Sequence, residues 1–249
     1  MIAILGAMAS EIDALVEATA VEEHGSSRGF EYWRGRLAGR DCIVARCGMG
    51  KVSAASGVQR LIDRWGVTCV VVCGLAGGLG DGLRLGDVVV GESFMQHDLD
   101  ASPIFPRYFV PGLDLSVFHA SPALVASAVA SAEAFLATGL ETDIDAGTLR
   151  RMGIEQPVAR SGLIVTGDQF VQEQTRLALR RDLPQALCVE MEGAAIAQVC
   201  HANDTPFVIV RVISDSADAS AAVDFQRFVS EVAPAYTLGI VRQQLPRLP

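Results

Sequence analysis

Four acidic residues of this sequence stand where apolar runs end. Glu11 comes shortly after the run 2–5, Glu190 and Glu192 close a run that begins at residue 186, and Asp215 follows the run 206–213. A carboxylate at the end of a buried strand is costly unless it is paired or hydrogen-bonded. Carboxylates held in such surroundings can transfer protons in general acid–base catalysis. The pattern therefore favours a functional interpretation of these acids.

Each acid also has a purely structural explanation. Glu11 lies in the first turn of a predicted helix, where the helix dipole stabilises any acid. Glu190 and Glu192 point to one face of a strand, and one of them can simply pair with Arg211. Asp215 can cap a helix or form a turn. The glycine-rich stretch 74–80 can likewise be no more than a tight turn, so both interpretations stay open on the residues alone.

Alternating strand and helix patterns predict the elements that position these acids. The predicted strands cover residues 2–5, 30–36, 41–46, 68–73, 87–94, 158–166, 186–191 and 206–213. The predicted helices begin at Ser10, with Asp13 as capping partner, and cover 52–64, 122–137, 173–182, 193–202 and 224–244. This alternation is typical of a layered α/β fold. Ligands of open α/β sheets bind beyond the carboxyl ends of the strands, which is where the acids lie.

A long segment at residues 95–120 interrupts the alternation. It combines Pro103, Pro106 and Pro111 with several aromatic residues and predicts a loop. Loops of this length are often functional or interfacial. The sequence contains no internal repeat, low-complexity tract or linker, so we expect residues 1–249 to form a single domain.

The charge balance excludes two classes of partner. The 249 residues include 29 Asp and Glu against 20 Lys and Arg, which gives a formal net charge of −9, and Lys51 is the only lysine. Nucleic-acid binding and attachment to anionic membranes both need a basic surface. We therefore expect no nucleic-acid partner and no membrane attachment. No apolar run approaches the roughly 20 residues needed to cross a bilayer.

The six cysteines predict a protein of a reducing compartment. They form no Cys-x-x-Cys pair, and most lie inside apolar runs such as 68–73, where cysteine acts as a small buried hydrophobe. Their spacing argues against a zinc site. The N-terminus lacks a basic region and reaches an acid at Glu11, unlike a signal peptide. We expect a cytoplasmic protein with no metal or cofactor.

Several stretches in order along the chain resemble the nucleoside phosphorylase family that includes the 5′-methylthioadenosine/S-adenosylhomocysteine nucleosidases. They are Ile4-Leu5-Gly6-Ala7-Met8 with Glu11, Cys47-Gly48-Met49-Gly50-Lys51-Val52, Gly74 with Ala76-Gly77-Gly78-Leu79, Gly86-Asp87-Val88-Val89-Val90, Thr166-Gly167-Asp168-Gln169-Phe170, Val189-Glu190-Met191-Glu192 and Val210-Arg211-Val212-Ile213-Ser214-Asp215. The resemblance extends from residue 2 to about residue 228. It implies a three-layer α/β/α sandwich around a central mixed, twisted sheet, and hydrolysis of the N-glycosidic bond between adenine and a 5′-thio-substituted ribose, as in methionine salvage.

The resemblance also assigns roles to the residues that would break this bond. Cleavage passes through an oxocarbenium-like cation, and adenine leaves poorly as an anion, so an acid must protonate or hydrogen-bond its N7. Asp215 matches that acid, with Ser214 and Ser216 available to orient it. Glu11 matches the base that activates water, with Arg211 helping to hold the water. Glu192 matches the residue that binds the ribose hydroxyls, where an ionised acid stabilises developing positive charge.

Further residues match the family's substrate pocket. Phe170 corresponds to the ring that stacks on adenine, and the backbone of Val171 to the group that reads the base edge. The remaining predicted contacts are apolar: Met191 beside the ribose, and Met8, Met49 and Phe225 around the alkylthio group, with Phe105 or Pro111 from a neighbouring subunit. The resemblance thus implies a homodimer in which the loop 103–111 completes the neighbour's pocket.

Hydrolysis and phosphorolysis are the two alternatives within the family. A phosphate site needs several arginines and hydroxyls. The strand before Gly74 has no arginine where the family's phosphorylases carry one, Glu11 would repel phosphate, and Leu75 replaces a small hydroxyl residue. These features favour hydrolysis. The alternatives are a phosphate-dependent purine nucleoside phosphorylase, a hydrolase of another 5′-modified adenosine, and a catalytically inactive nucleoside-binding protein.

Overall fold

The computed structural model describes residues 1–215 and 221–248, with the backbone alone for residues 221–225. The strands are β1 (Ile2–Gly6), β2 (Ala20–Ser27), β3 (Phe30–Leu37), β4 (Arg40–Arg46), β5 (Cys69–Gly78), β6 (Val88–Gln96), β7 (Phe118–His119), β8 (Ala159–Thr166), β9 (Ala186–Glu190) and β10 (Phe207–Asp215). The helices are α1 (Ala9–Ala18), α2 (Lys51–Trp65), α3 (Pro122–Ala134), α4 (Leu140–Asp143), α5 (Ala146–Arg151), α6 (Glu173–Asp182), α7 (Gly193–Ala202), α8 (Ala221–Glu231) and α9 (Ala233–Gln244).

These strands form one mixed sheet with helices on both sides, which confirms the predicted fold class. The order is β10-β6-β8-β9-β5-β1-β4-β3-β2, with β7 beside β6. Helix α2 packs against α7, while α9 packs against α1 and α3. Strand β5 also pairs with β10, so that β5, β10, β6, β8 and β9 close into a ring. This closure brings the carboxyl ends of β5, β8, β9 and β10 together.

The strand β5 is longer than the sequence pattern predicts. The glycine-rich stretch was expected to be a loop or tight turn, but the strand continues to Gly78 and pairs with β10 along its length. Gly77 and Gly78 also pair with Val189 and Cys188 of β9. Of the glycines in this strand, Gly74 is closely approached by the Arg211 and Glu11 side chains, whereas a Cβ on Gly78 would meet ordinary contacts. The extended end of β5 therefore pairs with both β10 and β9 and closes the ring of strands.

Several other elements differ from the predictions, three of them for identifiable reasons. Helix α1 begins at Ala9 rather than Ser10, and Asp13 makes no cap because the Glu11 carboxylate accepts the amides at the helix start. The predicted closing helix is two helices, α8 and α9, and Pro234 lies in the first turn of the second, where it needs no amide hydrogen bond. Strand β2 was missed because it is a polar edge strand without apolar alternation.

One helical segment passes a length and hydropathy test for a membrane span, contrary to the prediction from apolar runs. Residues Pro122–Asp143 form 22 helical residues with a mean hydropathy of 1.6 in their most apolar window, 39% of which is buried. Alanines supply much of this hydropathy, and Glu133 interrupts it. The buried residues include Leu124, Val125 and Ala128, and the helix packs against β6, β10 and α9. These contacts make it a core helix of the fold.

Candidate active site

A cavity opens where the ring of strands brings the carboxyl ends together. It encloses about 690 Å³, its open mouth included, which is the size range of small-molecule sites. Its wall consists of Ala7, Met8, Glu11, Met49, Leu75, Ala76, Gly77, Gln169, Phe170, Val171, Val189, Glu190, Met191, Glu192, Ser214 and Asp215. Four of these residues are acids. No arginine, lysine or histidine of the described residues lines the wall.

The carboxylate of Glu11 is fixed by backbone amides that follow β1 and by one within β5. Glu11 Oε2 accepts hydrogen bonds from the Ala7 amide at 2.7 Å and the Met8 amide at 3.0 Å. Glu11 Oε1 accepts one from the Leu75 amide at 3.2 Å. The side chain is 3% exposed. These amides hold the carboxylate in one orientation at the end of β1, which is what a general base needs.

Gly74 permits the close packing behind Glu11. A Cβ on this residue would overlap Arg211 Nη1 and stand 2.6 Å from Glu11 Oε1. The strand must therefore carry a glycine here for the guanidinium and the carboxylate to lie side by side. The motif Gly74-x-Ala76-Gly77-Gly78 thus has a steric cause at its first position.

A buried ion cluster lies beneath the cavity. Arg211 is 1% exposed, and its Nη2 pairs with Glu190 and, at 3.4 Å, with Glu192. Glu190 also accepts hydrogen bonds from Thr166 Oγ1, from the Glu192 amide at 3.1 Å and from the Gly193 amide at 2.8 Å. It therefore caps the start of α7 while it binds the arginine. We call Glu11, Glu190, Glu192 and Arg211 the acid floor.

Glu192 is held at the edge of this cluster. Its Oε1 accepts a hydrogen bond from the Gly50 amide at 2.9 Å, just before α2. Burial raises the pKa of Glu192 to about 7, and the negative charges of Glu190 and Glu11 act in the same direction. The Arg211 guanidinium and the Gly50 hydrogen bond partly oppose this rise. A carboxyl group of this kind titrates near neutral pH and favours a cation bound beside it.

Asp215 ends β10 on the opposite side of the cavity. The pairing of β10 with β5 shifts register between Ile213 and Asp215, and such a bulge re-aims the side chains that follow it. Ser214 Oγ donates a hydrogen bond to Asp215 Oδ2 at 3.0 Å. Asp215 is 4% exposed and lines the cavity. The bulge thus places Asp215 in the cavity wall together with Glu11, Glu190 and Glu192.

The structure gathers most of the predicted site residues around this cavity. Those in its wall are Met8, Glu11, Met49, Phe170, Val171, Met191, Glu192, Ser214 and Asp215. Arg211 lies behind the wall, where it pairs with Glu190 and Glu192, the alternative that the sequence left open. Phe105 and Pro111 do not line the cavity of their own chain. The side chain of Phe225, like Ser216, lies outside the described residues.

Sequence reasoning did not assign several residues that the site uses. Glu190 was weighed as an acid at a strand end and as a partner for Arg211 but was given no role in the site, yet it also accepts hydrogen bonds from the start of α7. The Gly50 amide and the Gln169 side chain were also missed. A backbone donor leaves no signal in residue type, although the φ of +89° at Gly50 explains why a glycine stands there. Within the described part of the chain, no cluster of His, Cys, Asp and Glu is arranged to hold a metal ion.

Comparison with known proteins agrees with the fold and with the family resemblance. The profile of the phosphorylase superfamily matches residues 1–243. The 5′-methylthioadenosine/S-adenosylhomocysteine nucleosidase of Shewanella denitrificans is 34% identical over 229 residues, which cover 92% of this chain and 91% of that protein. The crystal structure of the nucleosidase of the same name from Neisseria meningitidis, in complex with methylthio-immucillin-A, is 35% identical with a TM-score of 0.86, and 99% of each chain is covered.

A further similar structure is the native futalosine hydrolase of Helicobacter pylori. It is 29% identical with a TM-score of 0.82, and the match covers 99% of this chain and 97% of that one. The resemblance found in the sequence motifs is confirmed by the agreement of profile, identity and fold. This chain belongs to the phosphorylase superfamily and, within it, to the family of 5′-methylthioadenosine/S-adenosylhomocysteine nucleosidases.

Proposed function

We propose that this protein hydrolyses the N-glycosidic bond of 5′-methylthioadenosine and S-adenosylhomocysteine, releasing adenine and the 5′-thio-substituted ribose. The observation that carries the proposal is the charge of the cavity. Four carboxyl groups border it, no cation of the described residues lines it, and the nearby Arg211 is paired with two acids. Such a site stabilises an oxocarbenium-like cation and repels a phosphate dianion. Hydrolysis is therefore favoured over phosphorolysis.

The proposed roles follow the positions of the three acids. Asp215, oriented by Ser214, donates a proton or a strong hydrogen bond to N7 of the leaving adenine. Glu11, fixed by three amides, activates the attacking water. Arg211 lies next to Glu11 at Gly74 but does not line the cavity, so it helps to hold the water from behind the wall. Glu192 binds the ribose hydroxyls and stabilises the positive charge of the ring. Bond cleavage then needs no group beyond these side chains and water.

The remaining contacts surround the base and the substituent. Phe170 stacks on adenine, and the backbone of Val171 reads its edge. Met191 packs beside the ribose, while Met8 and Met49 border the 5′-substituent. We propose that Phe225 joins this apolar group, as the family resemblance implies.

An adenine-release assay tests the proposed function. Methylthioadenosine, adenosylhomocysteine, adenosine and adenosines with other 5′-substituents are each incubated with the protein, with and without inorganic phosphate. We expect release of adenine from the two thio-substituted nucleosides at the same rate in both conditions. Strict dependence on phosphate would refute hydrolysis, and activity only on an adenosine with another 5′-substituent would assign the chain to a different substrate.

The Asp215→Asn variant tests the proposed acid in the same assay. Loss of the proton donor is expected to lower kcat by about 10²–10⁴-fold, while the melting temperature changes little. Asp143→Asn, which changes an exposed acid at the end of α4, is the matched control and should behave as wild type. Full turnover of Asp215→Asn would remove Asp215 as the acid.

We also propose that the protein is a homodimer in which the loop 103–111 completes the neighbour's cavity through Phe105 or Pro111. Large apolar side chains are exposed near the cavity mouth and in this loop: Met49 at 62%, Val52 at 81% and Ile104 at 80%. Large apolar side chains exposed in this way are common at interfaces. Sedimentation velocity should give a dimer for the wild type and a weaker one for Ile104→Asp. Val21→Asp, at the edge strand β2, is the control, and a wild-type monomer would refute the dimer.

Two broader proposals complete this assignment. We propose that residues 1–249 act as a single domain, because one sheet contains strands from both ends of the described chain. We propose a cytoplasmic location, because all six cysteines are free and buried, as expected in a reducing compartment. Fractionation of the source cells tests the location, and limited proteolysis tests the single domain: a stable fragment lacking one end of the sheet would contradict it.

A further inference from the structure

Three charged side chains join three loops beside the mouth of the cavity. Lys51 begins α2, Asp98 follows β6 and Asp168 follows β8. Lys51 Nζ donates a hydrogen bond to Asp98 Oδ1 at 2.6 Å and lies 3.9 Å from Asp168 Oδ2. The Lys51 amide donates to Asp168 Oδ1 at 2.8 Å, and the Asp168 amide donates to Asp98 Oδ2 at 2.9 Å. We call these three residues the clasp.

The clasp is continuous with both sides of the cavity wall. Asp168 immediately precedes Gln169 and Phe170, which line the mouth. On the other side, the Gly50 amide, one residue before Lys51, holds Glu192. The adjacent amides of Gly50 and Lys51, at the start of α2, therefore bind the carboxylates of Glu192 and Asp168. This arrangement fixes the distance between Glu192 and the loop that carries Phe170.

Glycine at position 50 makes this double attachment possible. Its φ of +89° is a conformation that favours glycine. A Cβ there would stand 3.0 Å from Asp168 Oδ1. A larger residue would therefore strain the turn and push the Asp168 carboxylate away from the helix start.

The ammonium group of Lys51 balances two neighbouring carboxylates. Burial alone would raise the pKa of Asp98, but the hydrogen bonds from Lys51 Nζ and the Asp168 amide hold it below its ordinary value. The Lys51 side chain is only 18% exposed, so its charge is partly shielded from solvent. Without the ammonium, Asp98 and Asp168 would repel each other across the root of the loop.

We infer that Lys51 is a positioning residue for base binding: its ammonium group holds the loop 167–171 over the cavity at a fixed distance from Glu192. The inference rests on the proposed function, because it takes adenine as the base that Phe170 contacts. Lys51 does not line the cavity itself. It acts through the loop and therefore affects the affinity for the base more than the chemical step.

The Lys51→Met variant tests this role, since it removes the ammonium and keeps an apolar stem. The dissociation constant of adenine, measured by isothermal titration calorimetry, is expected to rise about three- to tenfold, as for loss of one partly buried charged hydrogen bond. KM should rise with it, while kcat changes by less than about twofold. Hydrogen exchange of the amides 167–171 should be faster in the ligand-free variant. Lys51→Arg, which keeps the charge, should restore most of the affinity.

A double variant and a control make the test specific. Lys51→Met combined with Asp98→Asn removes the ammonium together with its main partner, and its loss of affinity should be smaller than the sum of the single losses. Arg36→Met breaks the ion pair with Asp41, at 3.2 Å in the β3–β4 hairpin, and should leave adenine binding unchanged.

The loop measurement separates this inference from the proposed function. Exchange is measured without ligand, so it does not depend on catalysis. Unchanged exchange at 167–171 in Lys51→Met would overturn the inference, even where adenine release is normal. Faster exchange in a protein that releases no adenine would support the link between Lys51 and the loop and would count against the proposed function alone.

Discussion

The acid floor and the mouth of the cavity are built in opposite ways. Glu11, Glu192 and Arg211 of the floor are 3%, 6% and 1% exposed and are held by strand ends and backbone amides. Met49 and Phe170 at the mouth are 62% and 48% exposed. Preorganised charges lower a barrier only when they are already fixed before the reaction. With the roles proposed above, the groups that break the bond are fixed inside the fold, while the groups that contact the base lie on exposed loops.

This contrast has a consequence for kinetics. A change in the floor should lower kcat, because it displaces groups that act in the transition state. A change at the mouth should raise KM, because it removes binding that the ground state and the transition state share. The three predictions below test this division, from the largest effect to the smallest.

The largest effect is expected from Gly74→Ala. The added methyl group would overlap Arg211 Nη1 and crowd Glu11 Oε1, so both must shift. Overpacking of this kind costs about 1–3 kcal/mol of stability, and a displacement of about 1 Å in catalytic groups can lower kcat by about 10²-fold. Urea unfolding and steady-state kinetics measure the two effects. Gly112→Ala is the control, because a Cβ there meets nothing within 4 Å; wild-type kcat in Gly74→Ala would refute the steric argument.

The next effect concerns the pH profile. With the pKa of Glu192 raised from 4.5 to about 7 by burial and by Glu190, kcat/KM should fall as the pH drops below about 7, because the ionised form is needed. Glu190→Gln removes a negative charge and should move this limb to lower pH by about one unit. The control Glu17→Gln changes an exposed acid of α1 and should leave the limb in place. An acidic limb of the kcat/KM profile that does not move in Glu190→Gln would contradict the effect of Glu190 on the pKa of Glu192.

The raised pKa of Glu192 also makes the stability of the folded protein depend on pH. The folded protein binds the Glu192 proton more tightly than the unfolded chain, so this group makes the protein less stable as the pH rises from 4.5 towards about 7. Ionisation of Glu192 near neutral pH therefore lowers the free energy of unfolding. The effect runs opposite to that of an ordinary paired carboxylate.

The smallest effect is expected at the mouth, from Phe170→Leu. Loss of ring stacking is worth about 0.5–1.5 kcal/mol, so KM should rise about two- to tenfold while kcat stays near the wild-type value. Trp33→Leu, in the β2–β3 hairpin away from the cavity, is the control. A fall in kcat without a rise in KM would break the proposed division between floor and mouth.

Much of the fold could be predicted because buried parallel strands and amphipathic helices have strong periodic signals. Helices α6 and α7 match their predicted limits, and β10 was found from its continuous apolar run. The ring closure could not be predicted, since it depends on which backbone edges meet. Strand β2 escaped because its side chains are polar, and the limits of β5 because glycine is a poor strand signal.

The acids of the site could be found because charge at a buried strand end is unusual. Most of their partners could not. The amides of Ala7, Gly50 and Leu75 carry no signal in residue type. The pairing of Arg211 with an acid at the end of β9 stayed one of two open interpretations, because β9 and β10 are consecutive in the chain but are not neighbours in the sheet. The structure was therefore needed to decide which charged groups pair.

The buried cysteines have a consequence for the chemistry of the intact molecule. All six thiols are inside the fold, and burial raises their pKa, to about 11 for Cys42 and Cys69 and to about 12 for Cys47, Cys73 and Cys200. Thiolates are the reactive form, so alkylating agents and mild oxidants meet almost none in the native state. Each thiol becomes reactive only when the element that carries it opens. Cys73 and Cys188 lie on two strands of the closed ring. The rate at which they are alkylated therefore measures how often that ring opens.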